Sequence, residues 1–330
     1  MIILIYTKHF NLGGFRMDDK QYILAVPNFS EGRRKDVIQE IAGVVEDREG
    51  VKLISRETEP DFNRTVLTIL GEPEPLKQAL LEMSAKAYEL IDMRKQDGIH
   101  PRIGAQDTIP LFPFRNITLQ EVTNLAEEIG KELHEKHDIP IYFAGENAKI
   151  KERKEIHEIR KGQYEGLKKT LEESKDDPQR AEEYELRKPD LSRDGLLSER
   201  NGATIVYADM EGLTSYNIFL NTEDLDIAKK ISRALRGPSG GFSTIRSVGV
   251  KFPEREGVAV SMNLYDCSKT PLYRAFEFVK IEAEKYGVSV VGSEIAGPIR
   301  LEYLLNNLEH YLRLEEYNME QILEYHLVDM

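Results

Sequence analysis

The chain repeats one order of predicted elements in its two halves, and that order limits the folds it can adopt. In the first half, a strand at 21–26 precedes a helix at 31–46, two further strands, a second helix at 75–92 and a strand at 108–112. In the second half, a strand at 216–220 opens the same succession about 195 residues later. Apolar residues recur at helical spacing in the predicted helices and alternate with polar ones in the strands. Both halves therefore indicate a βαββαβ unit, although few residues are identical between them.

A βαββαβ succession is typical of a ferredoxin-like unit, in which helices cover one face of an antiparallel sheet. We predict an α+β fold of two ferredoxin-like (βαββαβ) subdomains with antiparallel sheets covered by helices. Residues 1–16 are predicted to be an extension without function, because Met17 can serve as a start and regular patterning begins only near residue 21. Residues 17–200 form the predicted N-terminal subdomain, which ends in a polar linker or mobile loop at 172–200. Residues 201–330 form the predicted C-terminal subdomain with an acidic helical tail.

The charge and the cysteine count exclude several classes of partner. The net charge of −13, from 45 Lys and Arg against 58 Asp and Glu, argues against duplex nucleic acid or an anionic membrane. It leaves room for a small anion, which needs only a local basic patch. The apolar start at 1–6 is far too short to span a bilayer and lacks the features of a secretory signal. Cys267 is the single cysteine, so we expect no disulfide framework, no cysteine-rich metal site and a reducing, cytoplasmic location.

Several familiar catalytic motifs are missing from the sequence. It contains no HExxH, GxSxG, P-loop or GxGxxG pattern, which weakens the zinc hydrolase, serine hydrolase, ATPase and Rossmann dehydrogenase hypotheses. His134 and His137 have the spacing of two metal ligands on one helix face, but no cysteine or third histidine lies near them. The sequence therefore predicts no metal site.

His100 is the histidine with the strongest case for chemistry. Its loop, 97–107, carries Gly98, Pro101 and Gly104 directly after a long helix, which gives the backbone a defined and unusual path. An imidazole held on such a loop can act as general base and general acid near neutral pH. From the loop alone, the alternative of a histidine that hydrogen-bonds its own backbone stays open.

Two other polar connections accompany this loop. One is the turn at 57–64 between two predicted strands, and the other joins the first strand to its helix at 27–32. Ordinary turn chemistry and N-capping by Ser30 would explain both of them without a functional site. In a ferredoxin-like sheet, however, both connections and the His100 loop can converge on one edge.

Four motifs in the same order carry a family resemblance. They are Val-Pro-Asn-Phe-Ser-Glu-Gly at 26–32, Asn-Arg-Thr-Val at 63–66, Leu-Ile-Asp-Met at 90–93 and His-Pro-Arg-Ile-Gly-Ala at 100–105. Together they resemble the formiminotransferase family, whose members stand alone or form the N-terminal part of formiminotransferase-cyclodeaminase. The resemblance runs from about residue 22 to about residue 299, and it is dense in the first half and sparse after residue 172.

The resemblance implies a fold, an assembly and a reaction. The fold is a pair of ferredoxin-like subdomains with a folate tunnel between them, and the assembly is a homodimer. The family reaction moves the formimino group of N-formimino-L-glutamate to N5 of tetrahydrofolate and releases L-glutamate, with tetrahydrofolate as co-substrate and no metal. The family's catalytic histidine falls on His100, and its acidic position falls on Glu57.

Elementary chemistry suggests roles for the residues that the resemblance selects. The N5 amine must lose a proton as it attacks and the departing glutamate amine must gain one, so a single imidazole at His100 can relay both. Glu57 would stabilise the positive amidinium, and Arg64 and Arg102 are expected to clamp substrate carboxylates through paired hydrogen bonds. The other predicted substrate- or folate-binding residues are Asn28, Asn63, Asp107 and Gly202.

The sequence departs from the family pattern around the segment that contacts folate. Residues 190–201 lack the usual glycine, proline and aromatic composition. Tyr207-Ala-Asp209 stands where the family has Gly-Ala-Arg, so an acid replaces one cationic anchor. The basic stretch 149–169 holds eight Lys and Arg against four Glu, which favours it as a binding site for the anionic folate tail.

Two other functions remain open from the sequence. A 5-formyltetrahydrofolate cyclo-ligase-type activity would keep folate as a ligand and would differ in its dependence on ATP. A diverged, non-catalytic small-molecule-binding dimer would result if the second half has drifted, and failure of folate to bind in calorimetry would favour it.

Overall fold

The computed structural model describes residues 20–210, 212–252, 255–315 and 321–322, which form two β-sheets with helices packed against them. The predicted extension at 1–16 and most of the predicted acidic tail beyond residue 315 lie outside the described residues. Within the described ranges, no helix is both long enough and apolar enough to cross a membrane.

The first subdomain begins with a βαββαβ unit. Its elements are β1 (Tyr22–Ala25), β2 (Asn28–Phe29), α1 (Lys35–Ala42), β3 (Val51–Glu59), β4 (Arg64–Gly71), α2 (Pro73–Leu90) and β5 (Gln106–Arg115). Strands β1 and β2 are two parts of one interrupted strand, since both pair with β4 and with β5. The unit is antiparallel, with β3 at one side, then β4, then β1 with β2, then β5.

The first sheet continues beyond this unit. The next elements are α3 (Leu119–His137), β6 (Ile141–Phe143), α4 (Ile156–Ile159), α5 (Gln163–Ser174), α6 (Ala181–Arg187) and β7 (Thr204–Ala208). Strand β7 pairs in parallel with both β5 and β6, so this seven-stranded sheet is mixed and the prediction of a purely antiparallel sheet is wrong. Strands β5 and β6 run in the same direction on either side of β7, and the crossover connection that such strands need contains α3.

The position of β7 also corrects the predicted boundary between residues 200 and 201. Because β7 is hydrogen-bonded into the first sheet, the first subdomain extends at least to Ala208. The segment 172–200, predicted as a linker, contains helix α6, and its Asp190 forms a buried ion pair with Arg153 at 2.8 Å. Some of the charges that suggested a solvated linker therefore attach this segment to the first subdomain.

The second subdomain repeats the βαββαβ unit. Its elements are β8 (Thr214–Leu220), α7 (Leu225–Leu235), β9 (Ile245–Lys251), β10 (Val258–Leu264), α8 (Leu272–Glu284), β11 (Val290–Ala296) and α9 (Leu301–Leu312). The antiparallel strand order is β11, β8, β10, β9, which places the fourth, first, third and second strands side by side. The first unit has the same order. The predicted α+β fold with two subdomains is confirmed.

Each sheet buries one face against its own helices. In the first subdomain, Ile23 of β1 and Leu67 and Ile69 of β4 share one buried cluster with Leu76 and Leu80 of α2. Burial of an aliphatic side chain of this size contributes about 1.5–3 kcal/mol. A slip of one residue would turn these side chains to the opposite face, so the cluster fixes the register of the strands.

Two glycines allow the loop after α2 to lie directly on the segment before β7. Gly104 and Gly202 form an isolated antiparallel bridge, and Gly202 has a φ of +70°. A Cβ on Gly104 would lie 1.9 Å from the Ala203 carbonyl oxygen, and a Cβ on Gly202 would lie 2.0 Å from that of Ile103. Only residues without a side chain fit at this contact.

We expect Gly104→Ala to lower the free energy of unfolding by about 1–3 kcal/mol or more, because the backbone must shift to admit the methyl group. Gly166→Ala is the matched control, since Gly166 lies in α5 and an added Cβ there meets nothing within 4 Å. This control should stabilise the protein by about 0.5–1 kcal/mol. Urea unfolding followed by circular dichroism measures both variants, and equal effects would contradict the tight contact.

Candidate functional site

Three connections meet at one end of the first sheet: the segment from β2 to α1, the turn from β3 to β4, and the loop from α2 to β5. Asn63 joins all three. Its Oδ1 accepts a hydrogen bond from the Gly32 amide at 2.9 Å, and its Nδ2 donates to the Asp97 carbonyl at 2.7 Å. The Asn63 carbonyl also accepts a hydrogen bond from Gln96 Nε2 at 3.1 Å. One buried residue thus holds the His100 loop against the other two connections.

These connections meet around a small, narrow pocket. The residues that line it are Asn28, Phe29, Ser30, Phe62, Asn63, Arg64, Gln96, His100, Arg102 and Asp107. Six of the eight predicted site residues therefore lie together, namely all except Glu57 and Gly202. Among the described residues, no group of three or more His, Cys, Asp or Glu is placed to hold a metal ion.

The His100 imidazole is half-buried in this pocket, edge-on to the Phe62 ring with the two centroids 6.4 Å apart. Neither ring nitrogen has a hydrogen-bond partner in the part of the chain that the structure describes, so the alternative of a histidine bonded to its own loop is wrong. Burial, together with three nearby guanidinium groups, lowers the pKa of His100 to about 3. In order of effect, the three groups belong to Arg64, Arg160 and Arg102. The ring is therefore neutral at physiological pH, and its surroundings make it a weak base.

Arg102 does not have the free donors that a substrate clamp requires. Its Nε donates to Gln96 Oε1 at 2.5 Å, and its Nη2 donates to the Gln96 carbonyl at 3.1 Å. Nη1 donates to Gln163 at 2.6 Å, and both η nitrogens bind Glu165, at 2.9 and 2.6 Å. A guanidinium has five N–H groups, and these contacts use all of them. The contacts favour a role for Arg102 in positioning the His100 loop, in place of the expected direct clamp.

Arg64 and Asp107 use their charges in different ways. Arg64 binds Glu59 through Nε at 2.9 Å and Nη2 at 2.6 Å, which leaves Nη1 available at the pocket. Asp107 is only 2% exposed, and its two carboxylate oxygens accept hydrogen bonds from the Ile103 amide at 2.7 Å and from Arg160. Asp107 therefore anchors the His100 loop, and its oxygens are occupied by protein donors.

Glu57 and Gly202 stand apart from the pocket lining. The exposed Glu57 side chain lies on β3 against the second subdomain, where a Cβ added to Gly297 would lie 3.1 Å from Glu57 Oε1. Gly202 takes part in the close backbone contact with Gly104. The pocket geometry gives no support to a ligand contact at either residue.

The basic stretch 149–169 does not present a row of free cations. Seven of its eight Lys and Arg side chains lie within ion-pair distance of a carboxylate, and the exception among these described residues is Lys151. The ion pairs have partners in many parts of the first subdomain, such as Glu127 at 2.5 Å from Lys149. The expected folate-tail site along this stretch therefore has no support in these contacts.

Two sequence models of domain families match the chain along most of its length. The model described as "Formiminotransferase domain, N-terminal subdomain" matches residues 22–209, and the model described as "Formiminotransferase domain" matches residues 215–329. The chain belongs to the formiminotransferase family. The break between the two matches also agrees with the inclusion of β7 in the first subdomain.

Relatives of this formiminotransferase-family chain cover nearly all of it. A "Glutamate formimidoyltransferase" from Streptococcus pyogenes serotype M1 is 36% identical over 92% of this chain and 97% of that protein. One from Thermoplasma acidophilum is 35% identical over 91% of this chain and 95% of that protein. A "Formimidoyltransferase-cyclodeaminase" from Gallus gallus is 34% identical over 88% of this chain and 52% of that protein. The protein is accordingly a transferase.

Three residues that shape the site were not predicted from the sequence. Ser30, which could have been an N-cap, instead donates its Oγ to the Gly104 carbonyl at 2.7 Å, while α1 begins later. Gln96 supports Arg102, but a lone loop glutamine gives no signal in a sequence. Arg160 belongs to the basic stretch, yet nothing there indicated its ion pair with Asp107.

We expect an imidazole NMR titration to show His100 neutral throughout the range above about pH 4, since its pKa in the folded protein is about 3. Between that value and the unfolded value of about 6.5, the unfolded chain binds a proton that the folded chain does not. This histidine therefore lowers the stability of the wild type as the pH falls through that window. In His100→Asn, urea unfolding should show a smaller loss of stability on acidification. A His100 resonance that titrates near pH 6.5 would contradict the burial of its ring among the arginines.

Proposed function

We propose that this protein transfers the formimino group of N-formimino-L-glutamate to N5 of tetrahydrofolate and releases L-glutamate. The observation that carries the proposal is the neutral His100 imidazole, which is half-buried and has no hydrogen-bond partner among the described residues. The Streptococcus pyogenes and Thermoplasma acidophilum relatives are named glutamate formimidoyltransferases, which supports this choice of substrates.

The proposed reaction needs one residue that can both take and give a proton. A bond forms between the attacking amine nitrogen and the amidine carbon, and the bond between that carbon and the glutamate nitrogen breaks. The attacking amine loses one proton, and the departing amine gains one. A neutral imidazole can accept the first proton at one ring nitrogen and deliver it to the leaving nitrogen, so His100 balances the reaction alone.

Contacts between the subdomains support a folate site between them. Arg300 Nη2 donates to the Pro113 carbonyl at 2.7 Å, which ties the second subdomain to the first sheet. Burial raises the pKa of Tyr265 in the second subdomain, and the charges that oppose this rise include Arg246 and Arg160. The Tyr265 ring of the second subdomain and the Arg160 guanidinium of the first are groups that suit a flat ligand with an anionic tail, such as a reduced folate.

The acid at position 209 is compatible with such a site. Burial raises the pKa of Asp209, and its Oδ1 accepts a hydrogen bond from the Met210 amide at 2.8 Å. The carboxylate is thus held by a neighbouring backbone amide, and its presence removes one cation from the proposed folate site.

A homodimer in the cytoplasm completes the proposal. The family resemblance supports the dimer, and the presence of a single cysteine in the sequence, Cys267, supports a reducing compartment. We expect sedimentation velocity of the purified full chain to show a dimer at micromolar concentration. A monomer under these conditions would count against this part of the proposal.

His100→Ala should lower kcat for transfer by about 10²–10⁴-fold, the usual contribution of a general acid–base residue. The assay follows release of L-glutamate from N-formimino-L-glutamate in the presence of tetrahydrofolate. His157→Ala is the matched control, because His157 is exposed and pairs with Glu155 and Glu158 on the surface. It should keep wild-type turnover.

Three outcomes distinguish the proposed transferase from the two other hypotheses. Turnover in His100→Ala at the wild-type rate would remove His100 from the chemistry. Consumption of 5-formyltetrahydrofolate that requires ATP, without transfer from N-formimino-L-glutamate, would replace the proposal with a cyclo-ligase-type activity. Absence of any folate binding in calorimetry would favour a non-catalytic binding protein.

A further inference from the structure

The three arginines around His100 differ in how many of their donors the protein already uses. Each has one carboxylate partner: Glu59 for Arg64, Glu165 for Arg102 and Asp107 for Arg160. Arg102 has no N–H group left, and Arg64 is bound side-on by Glu59. Arg160 is the least occupied of the three.

Arg160 carries a buried donor without a partner. Its side chain is 12% exposed, and its one hydrogen-bond partner among the described residues is Asp107, which binds Nη2. The Nε atom is buried and makes no hydrogen bond, and Nη1 has none to the described residues. Buried polar groups in native proteins nearly always have a partner, so these nitrogens have donor capacity that the described residues do not use.

The surroundings of Arg160 favour an anion as the ligand of these nitrogens. Arg160 binds Asp107, which lines the pocket, so the guanidinium lies next to the pocket wall, and its charge contributes to the lowered pKa of His100. Asp107 cancels only part of this charge and fixes the guanidinium in place, since the other oxygen of Asp107 is bound to the Ile103 amide. A carboxylate accepts well from such a fixed, partly desolvated donor.

We propose that Arg160 binds one carboxylate of the glutamate moiety of the substrate through its unused N–H groups, while Asp107 keeps Nη2. This inference rests on the proposed function, because it takes N-formimino-L-glutamate as the substrate. It replaces Arg102 by Arg160 in the pair of carboxylate-binding arginines, with Arg64 as the second member.

The proposed contact has a consequence for the chemistry. A carboxylate at Arg160 cancels positive charge that faces His100, and the removal of this charge raises the pKa of the imidazole. The histidine therefore becomes a stronger base when an anionic substrate is present than when the pocket is empty. A formamidine without a carboxylate would not produce this effect, so the arrangement selects for an anionic substrate.

Kinetics of Arg160→Gln and Arg160→Lys test the proposal. With N-formimino-L-glutamate we expect KM to rise about 10–100-fold in Arg160→Gln, because loss of a hydrogen bond to a charged group weakens binding by about this factor. At saturating substrate, kcat should change much less. Two substrate analogues, one lacking the α-carboxylate and one lacking the side-chain carboxylate, locate the contact. The analogue that lacks the carboxylate bound by Arg160 should bind the variant as well as it binds the wild type.

Arg48→Gln is the matched control. Arg48 also has an ion pair, with Glu82 at 2.5 Å, and a buried Nη1 without a partner among the described residues. Its partner Glu82 does not line the pocket, whereas the partner of Arg160 does, and the charge of Arg48 does not act on His100. Its KM should remain at the wild-type value. Arg160→Lys keeps a positive charge next to Asp107, so we expect it to fold even if Arg160→Gln does not. Its KM should also rise, because lysine has no donor at the Nε position.

A KM within twofold of the wild type in both Arg160 variants would overturn the proposal. So would an equal loss for the full substrate and for both analogues, which would mark Arg160 as purely structural. Calorimetry with L-glutamate separates this inference from the proposed function. If the wild type does not turn over N-formimino-L-glutamate, the proposed function fails, and tighter binding of L-glutamate to the wild type than to Arg160→Gln still supports the subsite. L-Glutamate that binds neither protein, or both equally, overturns the subsite.

Discussion

The Asn63 side chain is the contact on which the geometry of the site depends. Its amide satisfies the Gly32 N–H and the Asp97 carbonyl, which belong to segments 31 and 34 residues away along the chain. Asn63 has a φ of +50°, a left-handed conformation that asparagine tolerates better than most residues. The residue is buried, so water cannot replace either hydrogen bond at low cost. These two hydrogen bonds therefore fix the position of His100 relative to Arg64.

The electrostatics of the pocket contrast with those of the whole chain. The chain is acidic, with a net charge of −13, yet three guanidinium groups surround His100. Each of them is held by a carboxylate, and Asp107 and Arg102 are almost fully buried. Fixed and partly desolvated charges act on a neighbour more strongly than mobile surface charges do. The protein thus concentrates positive charge around the neutral His100 imidazole, where the proposed reaction brings an anionic substrate.

Much of the fold was predictable because short-range signals agree with it. The amphipathic spacing in α2 and the alternation in β4 indicated both element types, and the succession of elements indicated the duplicated unit. Convergence of the 27–32, 57–64 and 97–107 segments follows from the topology, since all three connections lie at the same end of such a sheet. The family resemblance, carried by motifs in these same segments, selected His100 before its surroundings were known.

The failures have a common physical cause, which is pairing between distant residues. Strand β7 joins β5 in parallel across about 100 residues, and no local pattern specifies such a partner. Arg102 is saturated by Gln163 and Glu165, which are 61 and 63 residues away. The charges of the 149–169 stretch suggested an open binding surface because sequence shows a charge but not the partner that occupies it.

The glycines at the two ends of the His100 loop have a thermodynamic consequence. A Cβ on Gly98 would lie 2.4 Å from the Phe62 carbonyl oxygen, so this end of the loop is fixed by direct backbone contact, as the other end is at Gly104. Between these fixed ends only 99–103 remain, and Pro101 removes a further torsional freedom from them. Ordering a flexible residue costs about 1–2 kcal/mol in conformational entropy, and a loop that is already ordered avoids most of that cost when a ligand arrives. The His100 loop is therefore preorganised, so less of the interaction energy of a substrate is needed to order it and more remains for affinity and orientation.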